Sequence, residues 1–253
     1  MRHAETALLL TALRPGLSVF RTRLATLVAL RPTHVLTQVQ EAGAAPGQGG
    51  GAGDAESAAA AAALSQLLGH RVTLLQLRAD SLDGVLADAS RVATALGAPE
   101  AGAILGARTR LRLSAVAEAA RSRPPVRCAV LQWAEPAYAA GAWVPQLLRL
   151  AGGVDVLSHT VGRALRPGEL AGAAPQLVVV ALCGEALAAA AAAAGALDPP
   201  PCPLLAADAR RLFSRGDPGL LADTAEALLQ MLQGEAAAGG GWRRVAVSEP
   251  VMA

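Results

Sequence analysis

A chain of 253 residues with 53% hydrophobic and 17% charged content can bury a sizeable core and is too apolar to be disordered. Its 22 Lys+Arg against 20 Asp+Glu leave a net charge of +2, without the clustered basic face that nucleic-acid binding needs. Every one of those cations is Arg, Asn is absent and Ile104 is the single Ile, a coding bias that carries no functional signal.

In chain order, MRHAETALLLTALRPG begins basic and holds a short apolar run at 7–13, with Glu5 beside it. No small-residue cleavage site follows, so no signal peptide is expected. The long Ala runs are too weakly hydrophobic to be membrane spans. TRLATLVALRPTHVLTQVQ predicts a helix stopped by Pro32 and a short strand at 34–37. EAGAAPGQGGGAGD, residues 41–54, has nothing to bury and predicts a flexible loop. A helix over 55–68 closed by Gly69, then a strand over 71–77, completes a strand–helix–strand unit with parallel pairing.

Ser81 suits the N-cap of a helix whose Leu82, Val85, Leu86, Ala89, Val92, Ala93 and Leu96 share one face. Gly97 and Pro99 break or kink it, and the helical pattern resumes to Arg123. Nearly continuous helix of that length would span about 60 Å, which predicts a rod joining two lobes. After Pro124–Pro125 the strand–helix alternation returns. It runs as a strand at 126–131, a loop, a helix ended by Gly152–Gly153, a short strand VDVLS, a short helix, and the strand-like run at 177–182. An Ala-rich helix at 185–194 and a short strand in CPLLAAD follow. The next helix is capped by Asp217, opened by Pro218 and closed by Gly234, and WRRVAVSEPVMA adds a last strand. The expected class is α/β. Residues 1–80 form a partial N-terminal lobe, 81–123 a connecting helical spine, and 124–253 a C-terminal α/β lobe.

The chain has six aromatic residues, and Trp133, Tyr138 and Trp143 all fall in the expected loop after the strand at 126–131. WAEPAYAAGAWVPQLLRLAGG, Trp133 to Gly153, carries W-x-E-P-x-x-x-x-G-x-W-x-P-x-L-x-x-x-A-G-G, ten fixed positions in 21 residues. Before it stand ALRPTHVLTQVQ and SLDGVLADASRVATALG; after it stand APQLVVVALCG and LLAADARRLFSRGDPGLLADTAEALLQML. Together, over residues 19–233, they resemble the ABC-type periplasmic binding proteins for vitamin B12 and iron-siderophores, with the cobalamin-binding branch nearest.

The resemblance implies two Rossmann-like lobes with parallel sheets, joined by a long helical spine. It implies non-catalytic capture of cobalamin or a ferric siderophore in an interlobe cleft, with no required cofactor. An ABC transporter permease is the implied partner, and the chain is expected to be a monomer. The family typically acts in the periplasm or otherwise outside the cytoplasmic membrane, while this sequence, without an export signal, leaves the compartment open between that and the cytoplasm. The family pattern's first strand and small-residue loop have no counterpart, and the Gly-rich insert replaces a cysteine-containing segment. The N-terminal lobe is therefore expected to be incomplete, and a truncated, non-binding scaffold is the alternative.

A corrin or siderophore is a broad, partly apolar disc with a polar rim. It calls for flat aromatic surface and a few polar contacts on loops after parallel strands. Trp133 is the stacking candidate, or else a plug for its turn. Glu135 either bonds the ligand rim or caps its own turn, and Tyr138 offers a ring face with a hydroxyl. Trp143 is expected as a structural anchor. Cys183 and Gly184 follow a buried strand and line the cleft. At a helix N-terminus a thiol could instead serve as the nucleophile of an α/β enzyme, although no partner base, oxyanion motif or phosphate loop accompanies it. His159, in SHTVGR, is a candidate axial imidazole, and His34 and His70 are weaker metal candidates. Phe213 and Arg215 lie in the loop before the last large helix, where Arg could pair with an anionic rim. Cys128, Cys183 and Cys202 are odd in number and widely spaced, which predicts buried free thiols and neither disulfides nor a zinc site.

Overall fold

The computed structural model describes residues 24–38, 52–77, 79–157, 162–197, 202–235 and 241–245. They divide into two compact units, Met1–Arg78 and Ala79–Ala253.

The first unit contains α1 (Leu24–Leu30), β1 (His34–Gln38), α2 (Ala52–Leu68) and β2 (Thr73–Leu77). Strands β1 and β2 pair in parallel with His34 opposite Thr73, as the intervening helix demands. Helix α2 takes in Ala52–Asp54, which the composition had predicted as loop, while residues 41–51 of the Gly-rich stretch lie outside the described residues. Gly69, at φ 71°, ends α2 in the left-handed conformation that glycine adopts without Cβ strain. Ser65 Oγ donates to the Ala61 carbonyl at 2.7 Å and accepts from the Val72 N–H at 2.9 Å, tying the helix end to the next strand. Leu64, Leu68 and Val72 are buried against Leu27, Val35 and Leu74.

The second unit opens with α3 (Leu82–Ala95), whose N-cap Ser81 accepts from the Gly84 N–H at 3.2 Å. The chain then turns back. Gly97 sits at φ 74°, the Ala98 N–H bonds the Ala93 carbonyl at 2.8 Å, and α4 (Pro99–Ala120) starts on its proline. A Cβ on Gly102 would lie 2.6 Å from Ala93 Cβ, so the two helices pack along each other. The spine region is thus a helical hairpin and not one rod of about 60 Å; the 22 residues of α4 span about 33 Å. The cause is local: a left-handed glycine ends one helix and a proline begins the next, which lets the two apolar faces meet. Leu96, expected on the apolar face, caps the turn instead and is 56% exposed.

There follow β3 (Val126–Ala134), β4 (Ala137–Ala139), α5 (Val144–Leu150), β5 (Gly153–Asp155), β6 (Arg163–Ala164), α6 (Glu169–Gly172) and β7 (Leu177–Val180). Next come α7 (Leu187–Ala196), β8 (Leu204–Ala207), α8 (Ala209–Leu212), α9 (Pro218–Gln233) and β9 (Trp242–Val245). Seven strands form one sheet in the order β6-β4-β3-β7-β8-β9, with β5 beside the first half of β3. Strands β5, β3, β7 and β8 are parallel, whereas β4, β6 and β9 run antiparallel to their neighbours.

Every residue of β7 and β8 is buried, as expected of strands covered on both faces. Along β3, Cys128 and Val130 join the core shared with Leu147, Leu221 and Leu228, while Ala129 and Leu131 join the opposite one with Val178 and Val180. That alternation is the strand period of two. Asp217 Oδ1 caps α9 by accepting from the Leu220 N–H at 2.9 Å, and Gly234 closes it at φ 71°. Helix α4 is fastened to α9 by Thr109, whose hydroxyl donates to the Pro218 carbonyl, and by Arg112, whose guanidinium bonds Asp223 and Glu226.

Candidate ligand-binding site

Strand β3 overshoots its parallel neighbours. Its pairing with β7 stops at Leu131–Val180, and beyond that point the stretch expected as loop turns back as a hairpin, β3–β4. Register shifts between Leu131 and Trp133, leaving Gln132 as a bulge, and Trp133 then stands opposite Tyr138. The hairpin turns through Glu135–Pro136, a cis peptide. Trp133 is 51% exposed, and its indole N–H donates to the Glu135 carbonyl at 3.1 Å. That bond pins the indole while the residue stays half-exposed. It also shows that the Glu135 carbonyl, not its carboxylate, braces the turn; the carboxylate is exposed.

Tyr138 is half-buried, and its hydroxyl donates to the Gly162 carbonyl at 2.7 Å. Gly162 has no room for a side chain: a Cβ would lie 2.6 Å from Gln132 Nε2 and 3.0 Å from the Ala139 carbonyl. Two further loops join the hairpin at this end of the sheet. The Cys183 N–H donates to the Gln132 carbonyl at 3.0 Å, and the Gly184 N–H to Ser214 Oγ at 2.7 Å. Gly184 holds φ 76° at the turn. Cys183, Arg215 and Glu135 are all exposed.

Trp133, Glu135 and Tyr138 thus belong to the β3–β4 hairpin, Cys183 and Gly184 to the loop after β7, and Arg215 to the loop after α8, three segments bonded to one another beyond the carboxyl ends of the parallel strands. This is where α/β sheets place ligands. Phe213 departs from the expectation: it is 8% exposed and packs in the main core beneath the loop. Trp143 is buried at 8% with its ring against Gly216 and Val85, the anchor that was expected. His159 lies outside the described residues. Gln132 and Gly162 are the supporting residues that composition and spacing missed, whereas Ser214 stood beside Arg215 in the expected loop; the only hint of the bulge was a polar Gln132 ending an apolar run.

The thiols differ. Cys128 is fully buried, and burial, reinforced by Asp155 and Cys202, pushes its pKa far above the ordinary thiol range. Burial raises Cys202 as well. All three are free, and the exposure of Cys183 corrects the expectation of three buried thiols. Helix α7 begins four residues after Cys183, so this thiol is not at a helix N-terminus and the premise for an activated nucleophile fails. Among the described residues no group of three or more His, Cys, Asp or Glu is placed to hold a metal ion. Among them, too, no helix is long and apolar enough to cross a membrane.

No protein-family model and no curated protein matches the sequence. The fold is similar to that of solved periplasmic substrate-binding proteins, TroA-like ones among them. A periplasmic heme binding protein from Pseudomonas aeruginosa matches over 90% of this chain and 82% of its own, at 22% identity and a TM-score of 0.66. The periplasmic heme-binding protein BhuT, in complex with two hemes, matches over 83% of this chain and 78% of its own, at 25% identity and a TM-score of 0.59. The periplasmic vitamin B12 binding protein BtuF of Vibrio cholerae matches over 85% of this chain and 80% of its own, at 17% identity and a TM-score of 0.55. Heme and B12 binders match together, so the cobalamin branch is not singled out.

Proposed function

We propose that this protein captures a large metal-chelate macrocycle, heme or a corrinoid, by stacking and rim contacts and without catalysis, for delivery to an ABC transporter permease. The observation that carries the reading is Trp133. It is a half-exposed indole pinned by its own N–H at the carboxyl end of the sheet, in a fold whose solved examples include heme and B12 binders. A tetrapyrrole or corrin offers a face of matching size for the ring. Arg215, exposed in a loop bonded to the same end, supplies a cation for propionates or a hydrogen-bond donor for amides. Glu135 and Cys183 are further exposed polar groups for the rim or the metal.

Titration with hemin and with cyanocobalamin, followed by absorbance and tryptophan quenching, tests the proposal. One of the two is expected to saturate at micromolar concentration. Trp133→Ala is expected to weaken it by about tenfold, the loss of one aromatic contact of about 1–1.5 kcal/mol, with circular dichroism unchanged. If neither ligand binds the folded chain at millimolar concentration, the capture reading fails and the non-binding scaffold replaces it.

A further inference from the structure

At the opposite end of β3 from Trp133, about 23 Å away along seven strand steps, the second unit carries an open groove of about 910 Å³. It lies among the start of α3, the second half of α4 and its exit, α5, and the glycines before β5. Half-buried Leu82, Leu150 and Ala117 and exposed Pro125 give it an apolar floor over the buried Leu86 and Leu113. Four arginines line it, Arg110, Arg121, Arg123 and Arg149, against one acidic residue, Asp83. Arg121 pairs with Glu118 on the neighbouring turn, whereas Arg110, Arg123 and Arg149 have no carboxylate partner among the described residues. One wall is fixed in place, because Gln146 Oε1 accepts the Leu82 N–H at 2.8 Å.

We propose that this groove docks an acidic polypeptide segment carrying an apolar anchor. The sign of the charge selects an anionic partner, and guanidinium forks pair with carboxylates in bidentate geometry. The floor selects a peptide over a small inorganic polyanion, which would leave the leucines unmatched, and the volume holds several side chains. The concave shape selects an inserted segment over a flat anionic bilayer. The groove shares no residue with the candidate ligand site, so a partner can seat here whether or not that site is filled.

Fluorescence anisotropy of a labelled peptide of repeating Glu-Leu-Glu-Ala against the full chain is the test, with a Lys-for-Glu peptide, tripolyphosphate and phosphatidylglycerol vesicles as separate arms. The acidic peptide is expected to bind and to weaken with salt, and the Lys peptide to show no binding. Arg123→Glu with Arg149→Glu is expected to weaken binding by about tenfold or more; should that pair fail to fold, Arg123→Gln with Arg149→Gln serves in its place. Absence of acidic-peptide binding at low salt overturns the proposal, as does binding that the charge-changed chains retain. Arginine-dependent binding of tripolyphosphate or vesicles that equals or exceeds that of the peptide overturns it in favour of a small anion or a membrane.

Discussion

Trp133 and Trp143 are ten positions apart in one motif, and the structure separates their roles by burial. Trp143, at 8% exposure, fills the space against Gly216 and Val85. Its replacement by Ala is expected to cost about 3–5 kcal/mol, the range for a buried aromatic truncated to leave a cavity, measured as a lower midpoint in urea. Trp133→Ala at 51% exposure should shift the same midpoint by under about 1 kcal/mol. A larger shift at Trp133 than at Trp143 would reverse the assignment. The thiols make a second prediction at this scale. At pH 8 an aromatic disulfide reagent should modify Cys183 fast and Cys202 slowly, and should reach Cys128 only on unfolding, since burial raises the last two. Cys183→Ser removes the fast phase; persistence of that phase would contradict the exposure order.

At the scale of elements, α9 was legible because its cap, proline and terminal glycine are local signals acting within one turn. The β3–β4 hairpin was not, because it pairs through a bulge at Gln132 and its partner on the other edge, β6, is two residues long. Strand β6 is held by charge. Arg163 pairs with Glu169 of α6, and Glu169 also accepts the Arg166 N–H at 3.0 Å. The Arg163 bond first, and then the Arg166 amide, hold the Glu169 pKa down to about 2. A carboxylate depressed on folding contributes stability above its unfolded pKa of about 4.3 and loses it as pH falls through the folded value. Protection of the Arg166 amide from hydrogen exchange, corrected for intrinsic rate, should therefore hold at pH 5 and fall as pH drops from about 4.3 toward 2. Glu169→Gln should lack that fall, and an unchanged profile in Glu169→Gln would rule the pair out as its cause. The pair is only half-buried and open to solvent screening, so global stability should move little.

For the whole molecule, the division at Arg78 and Ala79 is a difference in core size. The first unit buries a cluster around Leu64, Leu68 and Val72, whereas the second has hydrophobic clusters on both faces of its sheet. At about 1.5–3 kcal/mol per buried aliphatic side chain, those three described residues do not by themselves offset the cost of ordering a chain of this length. Residues 79–253 expressed alone are expected to unfold in one cooperative transition with a sloped native baseline no steeper than that of the full chain. Residues 1–78 alone should show no transition. Cooperative unfolding of 1–78 by itself would show that its small core suffices.

What the residues determined alone was whatever depends on neighbours in sequence: the α/β alternation, parallel pairing across α2, the caps at Ser81 and Asp217, and the glycine stops at Gly69, Gly97 and Gly234. The aromatic motif also marked the carboxyl end of β3. Tertiary structure decided the rest. It folded the expected spine into a hairpin of helices, turned an aromatic loop into a strand, buried Phe213 and exposed Cys183. It also bonded Gln132 to Cys183 and Gly184 to Ser214. Those outcomes depend on which faces meet across long sequence separations, where burial is a property of the partner surface and not of the residue that is buried.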